Sequence, residues 1–174
     1  QRSVAEILSM LYQVGAMVGQ AQQAMERIAA IQAQMQAVAL AAAALPRRPR
    51  VYFEEWDEPP ISAIRWVSEL MGIAGGDDCF PELAHQSLGK NRIIADSSEI
   101  VRRDPDIVIG SWCGKKFRPE KVAARDGWQN VKAVQHQQLF EIKSPDILQP
   151  GPASLTDGLA HLHRIIMDWA RMYA

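Results

Sequence analysis

The segment from Val51 to Gly76 constrains the fold of this 174-residue chain more than any other. It reads VYFEEWDEPPISAIRWVSELMGIAGG: a buried-type strand, an acidic and aromatic double-proline loop, an amphipathic helix and a Gly-Gly stop. Ile61, Ile64, Val67, Leu70 and Met71 fall on one helical stripe and predict a helix over 61–74. That order places Trp56, Asp57 and Glu58 just past the carboxyl end of a strand. Open α/β sheets bind ligands at that edge.

The same alternation continues downstream. Cys79–Phe80 reads as the start of a short strand. Asp96-Ser-Ser-Glu99 has the capping-box pattern, and its helix stops before Pro105. Asp106–Trp112, DIVIGSW, is a nearly continuous apolar strand, as expected where both faces are covered. Pro119–Arg125 predicts a short helix, Ala133–Ile142 one or two strand pieces, and Ser154–Tyr173 a closing helix. Strands alternating with helices predict an α/β fold: a mostly parallel, four- to five-stranded Rossmann-like lobe within 51–142, with right-handed crossovers.

Ahead of this lobe the chain is helical. Ser3-Val-Ala-Glu6 is a capping box, followed by an apolar face at Val4, Ile7, Leu8, Leu11 and Val14. Gly15 and Gly19 loosen the helix near Met17–Gln20. A second helix, Ala21–Leu45, is rich in Ala and Gln and reaches roughly 37 Å at 1.5 Å per residue. Its length suits a strut, a coiled-coil arm or one wall of a larger protein. Pro46-Arg-Arg-Pro49 ends it. The domain division expected is 1–46 for the helices, including the long connector, and 47–174 for the α/β lobe. Arg47, Arg48 and Arg50 read as a solvated linker.

The net charge of −1 lacks the clustered basic excess of nucleic-acid binders. Cys79 and Cys113 fix no compartment, and their spacing suggests no zinc site. Their places near the start of one strand and the end of another argue against a mutual disulfide. Ala37–Leu45, the most apolar stretch, is far shorter than a membrane span of ~20 residues. Gln1-Arg2-Ser3 opens directly into helix, so no signal peptide is expected within these residues, as would also hold for a mature, processed or truncated product.

Three loops are expected at one sheet edge: Trp56–Pro60, Cys113–Arg118 and Ser144–Pro152. They offer Trp56, Trp112, Phe117, Lys115, Lys116, Asp146 and Gln149, a set suited to a large, flat, amphipathic ligand. The competing reading is ordinary loops with half-buried aromatics. Glu54, Glu55, Asp57 and Glu58 read as a solvated acidic rim, because neighbours on a strand point to opposite faces and cannot converge on a cation. Gly110-Ser-Trp-Cys-Gly-Lys115 is one residue short of a phosphate loop and lacks its Ser/Thr. His161 and His163 face different directions on a helix. Cys113 has cationic neighbours but no motif ties a base to it, and there is no nucleophile elbow. No catalytic, metal or cofactor site is expected.

Five segments, VYFEEWDEPP, RWVSELMGIAGG, DIVIGSWCG, DGWQNVKAVQHQQLFEI and LQPGPASLTDGLAHL, occur in the order found in one family. In this the chain resembles the C-terminal lobe and preceding connector helices of a cobalamin- or siderophore-type (class III, helical-backbone) periplasmic substrate-binding protein of an ABC importer. The EW-x-x-PP and CG segments and the late PGP favour the cobalamin branch over ferric siderophores or haem. The resemblance implies half of a clamshell, with the N-terminal lobe absent and Ala21–Leu45 as the rigid connector. It also implies a periplasmic or lipid-anchored, non-enzymatic protein that captures a corrinoid or ferric chelate and delivers it to a permease. Carried over, the ligand-binding positions are Trp56, Asp57, Trp66, Trp112, Cys113, Gly114, Asp146 and Ile147, and the permease-docking acid is Glu69. A helix-mediated homodimer is the alternative from another class.

Overall fold

A computed structural model describes residues 1–173. Two helices, α1 (Val4–Met17) and α2 (Ala21–Ala43), fold back on each other through Val18–Gln20. The Ser3 hydroxyl accepts the Glu6 amide and starts α1. Gly19 takes φ +73° in the turn. A Cβ on Gly15 would stand 2.3 Å from the Ala24 Cβ, so the glycine is what lets the helices approach. Gly15 thus serves the packing of the hairpin, and Gly19 its turn. Among the described residues no helix is long and apolar enough to cross a membrane.

A five-stranded sheet forms the centre of the lobe. Its strands are β1 (Arg50–Asp57), β2 (Pro60–Ser62), β3 (Asp77–Asp78), β4 (Ile107–Gly110) and β5 (Leu139–Glu141). The order is β2-β1-β4-β5, with β3 beside the start of β1. All pairings are parallel except β1–β2. Alternation along the strands divides the core. Val51, Phe53, Ile107 and Ile109 face one cluster with Ile7, Ile31, α3 (Arg65–Ala74) and α9 (Leu159–Tyr173), which a short π-helical turn precedes. Tyr52 and Val108 face another, with Phe80 just before α4 (Pro81–Ala84), Ile100 of α5 (Ser98–Arg103), Trp112, Phe117 and Trp128. Each large side chain buried this way contributes about 1.5–3 kcal/mol of transfer free energy.

The expected helix over 61–74 starts four residues later. Pro60–Ser62 instead turns back on β1 as β2. Residues 91–94 account for this: Ile94 donates to the Pro60 carbonyl, the Ser62 amide donates to the Arg92 carbonyl, and Ile61 bridges Ile93. Tertiary pairing overrides a helical stripe at its first residue. The Gly-Gly stop is real. Gly75 takes φ +101° and lies against Leu45 and Ala42, and the Gly76 amide donates to the Met71 carbonyl. Two further expectations shift. Strand β3 comes just before Cys79. The start of 133–142 is a single helical turn, α7 (Lys132–Gln135), from which Gln137 at φ +55° turns into β5.

The basic stretch between the helices and β1 is a set of clamps. Arg48 donates to the carbonyls of Gly72 and Gly76, satisfying the end of α3. Arg47 pairs with buried Asp106 at 3.2 Å and lies 4.6 Å over the Trp169 ring. Asp106 also accepts the Arg50 amide.

The Gly15–Ala24 contact gives a sharp expectation. Gly15→Leu should force α1 off α2 and destabilise the chain by about 1–3 kcal/mol, whereas the same change at exposed Gly72, with nothing within 4 Å of its Cβ position, should cost far less. Urea titrations of the two variants make the comparison.

Candidate functional site

At the carboxyl ends of β1, β4 and β5 lies an open groove of three adjoining depressions of about 570, 340 and 210 Å³. Trp112 lines all of them, and Asp57 and Lys115 each line two. The combined size suits a small-molecule ligand.

The groove rests on a buried carboxylate. Glu54 lies on the same face of β1 as Tyr52 and is fully buried. It accepts from Tyr52 Oη at 2.9 Å, from Trp112 Nε1 at 3.0 Å and from both terminal nitrogens of Arg125 at 2.7 and 2.9 Å. Arg125 follows α6 (Pro119–Ala123) and stacks 4.8 Å over Trp128. Burial alone would lower the Arg125 pKa, but the Glu54 hydrogen bonds and charge outweigh it and hold the guanidinium above its ordinary value. Burial, then the Glu54 charge and hydrogen bond, push Tyr52 well above 10.

Glu55, on the opposite face, pairs with buried Arg92 at 2.7 Å, and Arg92 also donates to the Ser62 carbonyl. Glu54 and Glu55 are therefore not part of a solvated acidic rim. Arginines 71 and 37 residues downstream take their charge. Sequence reasoning also missed Arg125 and Lys121 in the groove. The only advance signal for Glu54 was its period-two register with Tyr52.

The predicted residues fall into three groups. At the groove, Trp56 is half-buried, and its Nε1 donates to the Glu58 carbonyl at 2.9 Å. Asp57 pairs with Lys115, whose ammonium lies 4.2 Å from the Trp56 ring centre and 5.1 Å from that of Trp112. Cys113 and Gly114 are exposed beside them. Trp112 and Phe117 are buried as a floor, edge to face at 5.0 Å, rather than open planes. Asp146, on α8 (Ser144–Ile147), lines none of the depressions, although the neighbouring Ser144 and Pro145 do; it is partly exposed, with its carboxylate 4.0 Å from His161 on α9.

Trp66 and Ile147 are not groove residues. Both belong to the core on the other side of the sheet, where Trp66 Nε1 donates to the Ile147 carbonyl at 2.9 Å. An indole can be buried once its N–H finds a carbonyl, and here the bond ties α8 to α3. Glu69 is likewise committed. It accepts the Val4 amide at 2.7 Å at the start of α1 and Arg65 Nε at 2.8 Å, which uses the carboxylate to join two helices. Cys79 is buried with its thiol pushed up to about 12 by burial, whereas Cys113 is exposed; neither is in a disulfide. Among the described residues no three His, Cys, Asp or Glu side chains stand where they could hold a metal ion.

The groove carries uneven charge. Lys116, Arg118 and Lys121 line its central depression with Lys115. Among the described residues, Lys116 and Lys121 have no carboxylate within ion-pair distance, and Arg118 has a loose, exposed contact to Glu120 at 3.4 Å. Asp57, Glu58 and Asp126 line the larger depression.

An open, mostly parallel sheet with a groove at its carboxyl edge and a long helical strut is the architecture of one lobe of a clamshell. The chain belongs to the periplasmic binding protein family, whose model matches residues 1–145. No curated protein sequence matches it. Among solved structures it is similar to a possible iron-binding (periplasmic solute-binding) protein of Staphylococcus epidermidis, with 18% identity, 95% of this chain and 63% of that one covered, and a TM-score of 0.79. It is also similar to S. aureus IsdE complexed with heme, with 17% identity, 95% and 65% covered, and a TM-score of 0.76. A third is the vitamin B12 binding protein BtuF of Vibrio cholerae, with 16% identity, 97% and 63% covered, and a TM-score of 0.71. The chain spans 57–66% of the length of the first solved structures that it matches.

Two outcomes test the buried network. Arg125→Met should strand the Glu54 carboxylate and cost about 3 kcal/mol, the low end for a buried pair because Arg125 is 24% exposed; adding Glu54→Gln, which removes the charge but keeps an acceptor for Tyr52 and Trp112, should recover part of the loss. Tyr52 predicts a pH dependence. Its folded pKa is raised, so above about 10 the unfolded state releases a proton that the folded state keeps, and stability falls with rising pH. Thermal melts from pH 8 to 11 should show that loss, and Tyr52→Phe should flatten it.

Proposed function

We propose that this chain is the C-terminal lobe of the substrate-binding component of an ABC importer. It acts outside the cytoplasm and without catalysis, capturing a metal chelate and delivering it to a permease. The ligand that the groove fits best is an acidic chelate of the haem or ferric-siderophore kind. The observation behind this is that Lys115, Lys116, Arg118 and Lys121 line one depression with Trp112, with the Lys115 ammonium also over the indole of Trp56; among the described residues Lys116 and Lys121 have no carboxylate partner. Aromatic surface takes the apolar face of such a ligand, and ammonium and guanidinium groups take its acidic substituents. Trp56, Asp57, Trp112, Cys113, Gly114 and Asp146 are the contact candidates on this wall. Trp66 and Ile147 support it from behind.

A corrinoid is the second reading. It rests on the half-exposed Trp56 and on the likeness to the B12-binding protein. The side-chain amides of a corrinoid are neutral, so it gains less from the cations. The permease and a facing lobe are partners on either reading. Docking through Glu69 has little support once its carboxylate serves Val4 and Arg65. Self-association through the helix hairpin draws on exposed Met17, Val18 and Met25.

One wall of a two-sided site offers about half the contacts, so affinities near 100 µM or weaker are expected for this chain. Tryptophan quenching by haemin and by cyanocobalamin, each at low and high salt, tests the ligand. Haemin should bind more tightly and weaken as salt screens the lysines, and Trp56→Ala should cost about 1–3 kcal/mol. Tighter, salt-insensitive binding of cyanocobalamin would promote the corrinoid reading. Binding of neither ligand, with quenching by a ferric catecholate, would keep the importer role and change the chelate.

A further inference from the structure

The geometry points to Lys115 as the specificity-determining residue of this groove, with Asp57 as its positioning residue: held over Trp56, its ammonium admits ligands that present an acidic group and disfavours neutral ones. The inference rests on reading the groove as a ligand-binding wall.

The platform beneath Lys115 is oriented. Trp56 sits on β1 opposite Ile61, and its indole N–H donates to the Glu58 carbonyl, which favours one orientation of the ring. The ammonium lies 4.2 Å from that ring and 5.1 Å from Trp112, and pairs with Asp57. A lysine ammonium has three N–H donors. Asp57 holds the ammonium as an ion pair and the ring faces draw its underside, which leaves donor capacity toward the open side of the groove.

Displacing Lys115 is unfavourable. The Asp57 side chain is only 17% exposed, and without Lys115 it would be a poorly solvated carboxylate with no cation. The lysine itself is 39% exposed and follows Gly114, which is at φ +76° with nothing near its Cβ position. Small movements are therefore free, but wholesale departure is not. A neutral flat ligand stacking on Trp56 must push this ammonium aside. An acidic group can accept from it where it stands, keeping the Asp57 pair and the indole contact together. Lys116 and Lys121 add charge nearby, but of the three lysines lining this depression among the described residues only Lys115 is held by an ion pair.

Gallium(III) protoporphyrin IX, which carries two carboxylates, and neutral cyanocobalamin are the probes, followed by NMR of the lysine side chains and by equilibrium titration. In the ligand-free chain, the Lys115 methylene signals should be shifted upfield by the indole. The shift should vanish in Trp56→Leu and shrink in Asp57→Asn. The porphyrin should move these signals. Lys115→Met should weaken porphyrin binding about tenfold or more, the loss of one charge-assisted contact. It should leave cyanocobalamin unchanged or tighter, and Lys115→Arg should restore most of the porphyrin affinity. Equal weakening of both probes by Lys115→Met would make Lys115 structural only. Probe-induced shifts at Trp56 and Trp112 with Lys115 stationary would overturn the recognition role and leave the groove intact. Lys115 signals in place but no shift with either probe would remove the binding-wall reading, and the specificity role with it.

Discussion

A single buried carboxylate organises the functional end of this lobe. Glu54 sits in the central strand with no solvent access, and an unpaired charge there would cost several kcal/mol. Its four hydrogen bonds come from three parts of the chain: Tyr52 on the same strand, Trp112 just past β4, and Arg125 past α6. Satisfying the charge therefore fixes the loop after β4 against β1 and draws the following helical segment over the same face. Both border the groove. Glu55 and Arg92 do the corresponding work on the other side and hold the hairpin end of β1 against residues 91–94. Trp56 and Asp57, which follow immediately, emerge from a strand gripped from both faces.

That arrangement explains why some of the fold was legible in the sequence and some was not. The strands expected at Val51–Glu55 and Asp106–Trp112, the long Ala/Gln helix, the Gly75 stop and the amphipathic closing helix each follow from local chemistry or periodicity, and each formed there, the second strand shortened to Ile107–Gly110. What failed depended on distant partners. Ile61 fits a helical stripe, and only the pairing of β2 with residues 91–94 makes it extended. Glu54 and Glu55 belong to an acidic run that looks solvated until Arg125 and Arg92 arrive from 71 and 37 residues away.

The site residues divide in the same way. Placing Trp56 and Asp57 at the carboxyl edge needed only strand direction and the rule that ligands bind there. Trp66 and Ile147 needed knowledge of which helix face met which carbonyl. An indole N–H satisfied by Ile147 makes a buried tryptophan as stable as an exposed one is useful, and the residue type alone cannot separate the two. Glu69 is similar: an acid on a helix surface looks available until the start of another helix is brought to it.

The groove thus has a rigid floor and a comparatively free rim. Trp112 and Phe117 are locked by packing and by Glu54, and Trp56 is oriented by its bond to the Glu58 carbonyl. The exposed Cys113–Lys116 stretch passes above them with few constraints beyond the Lys115–Asp57 pair. A binding wall gains from that division. Fixed aromatic surface is already ordered before contact and loses little entropy when a ligand arrives. The adjustable part is confined to charged side chains, whose interactions reach several ångströms and tolerate small misplacement. Shape is set by the floor, and charge preference by a few lysines on the rim. Changing those lysines should alter which ligands are accepted without disturbing the fold beneath, because none of the Glu54 contacts passes through them.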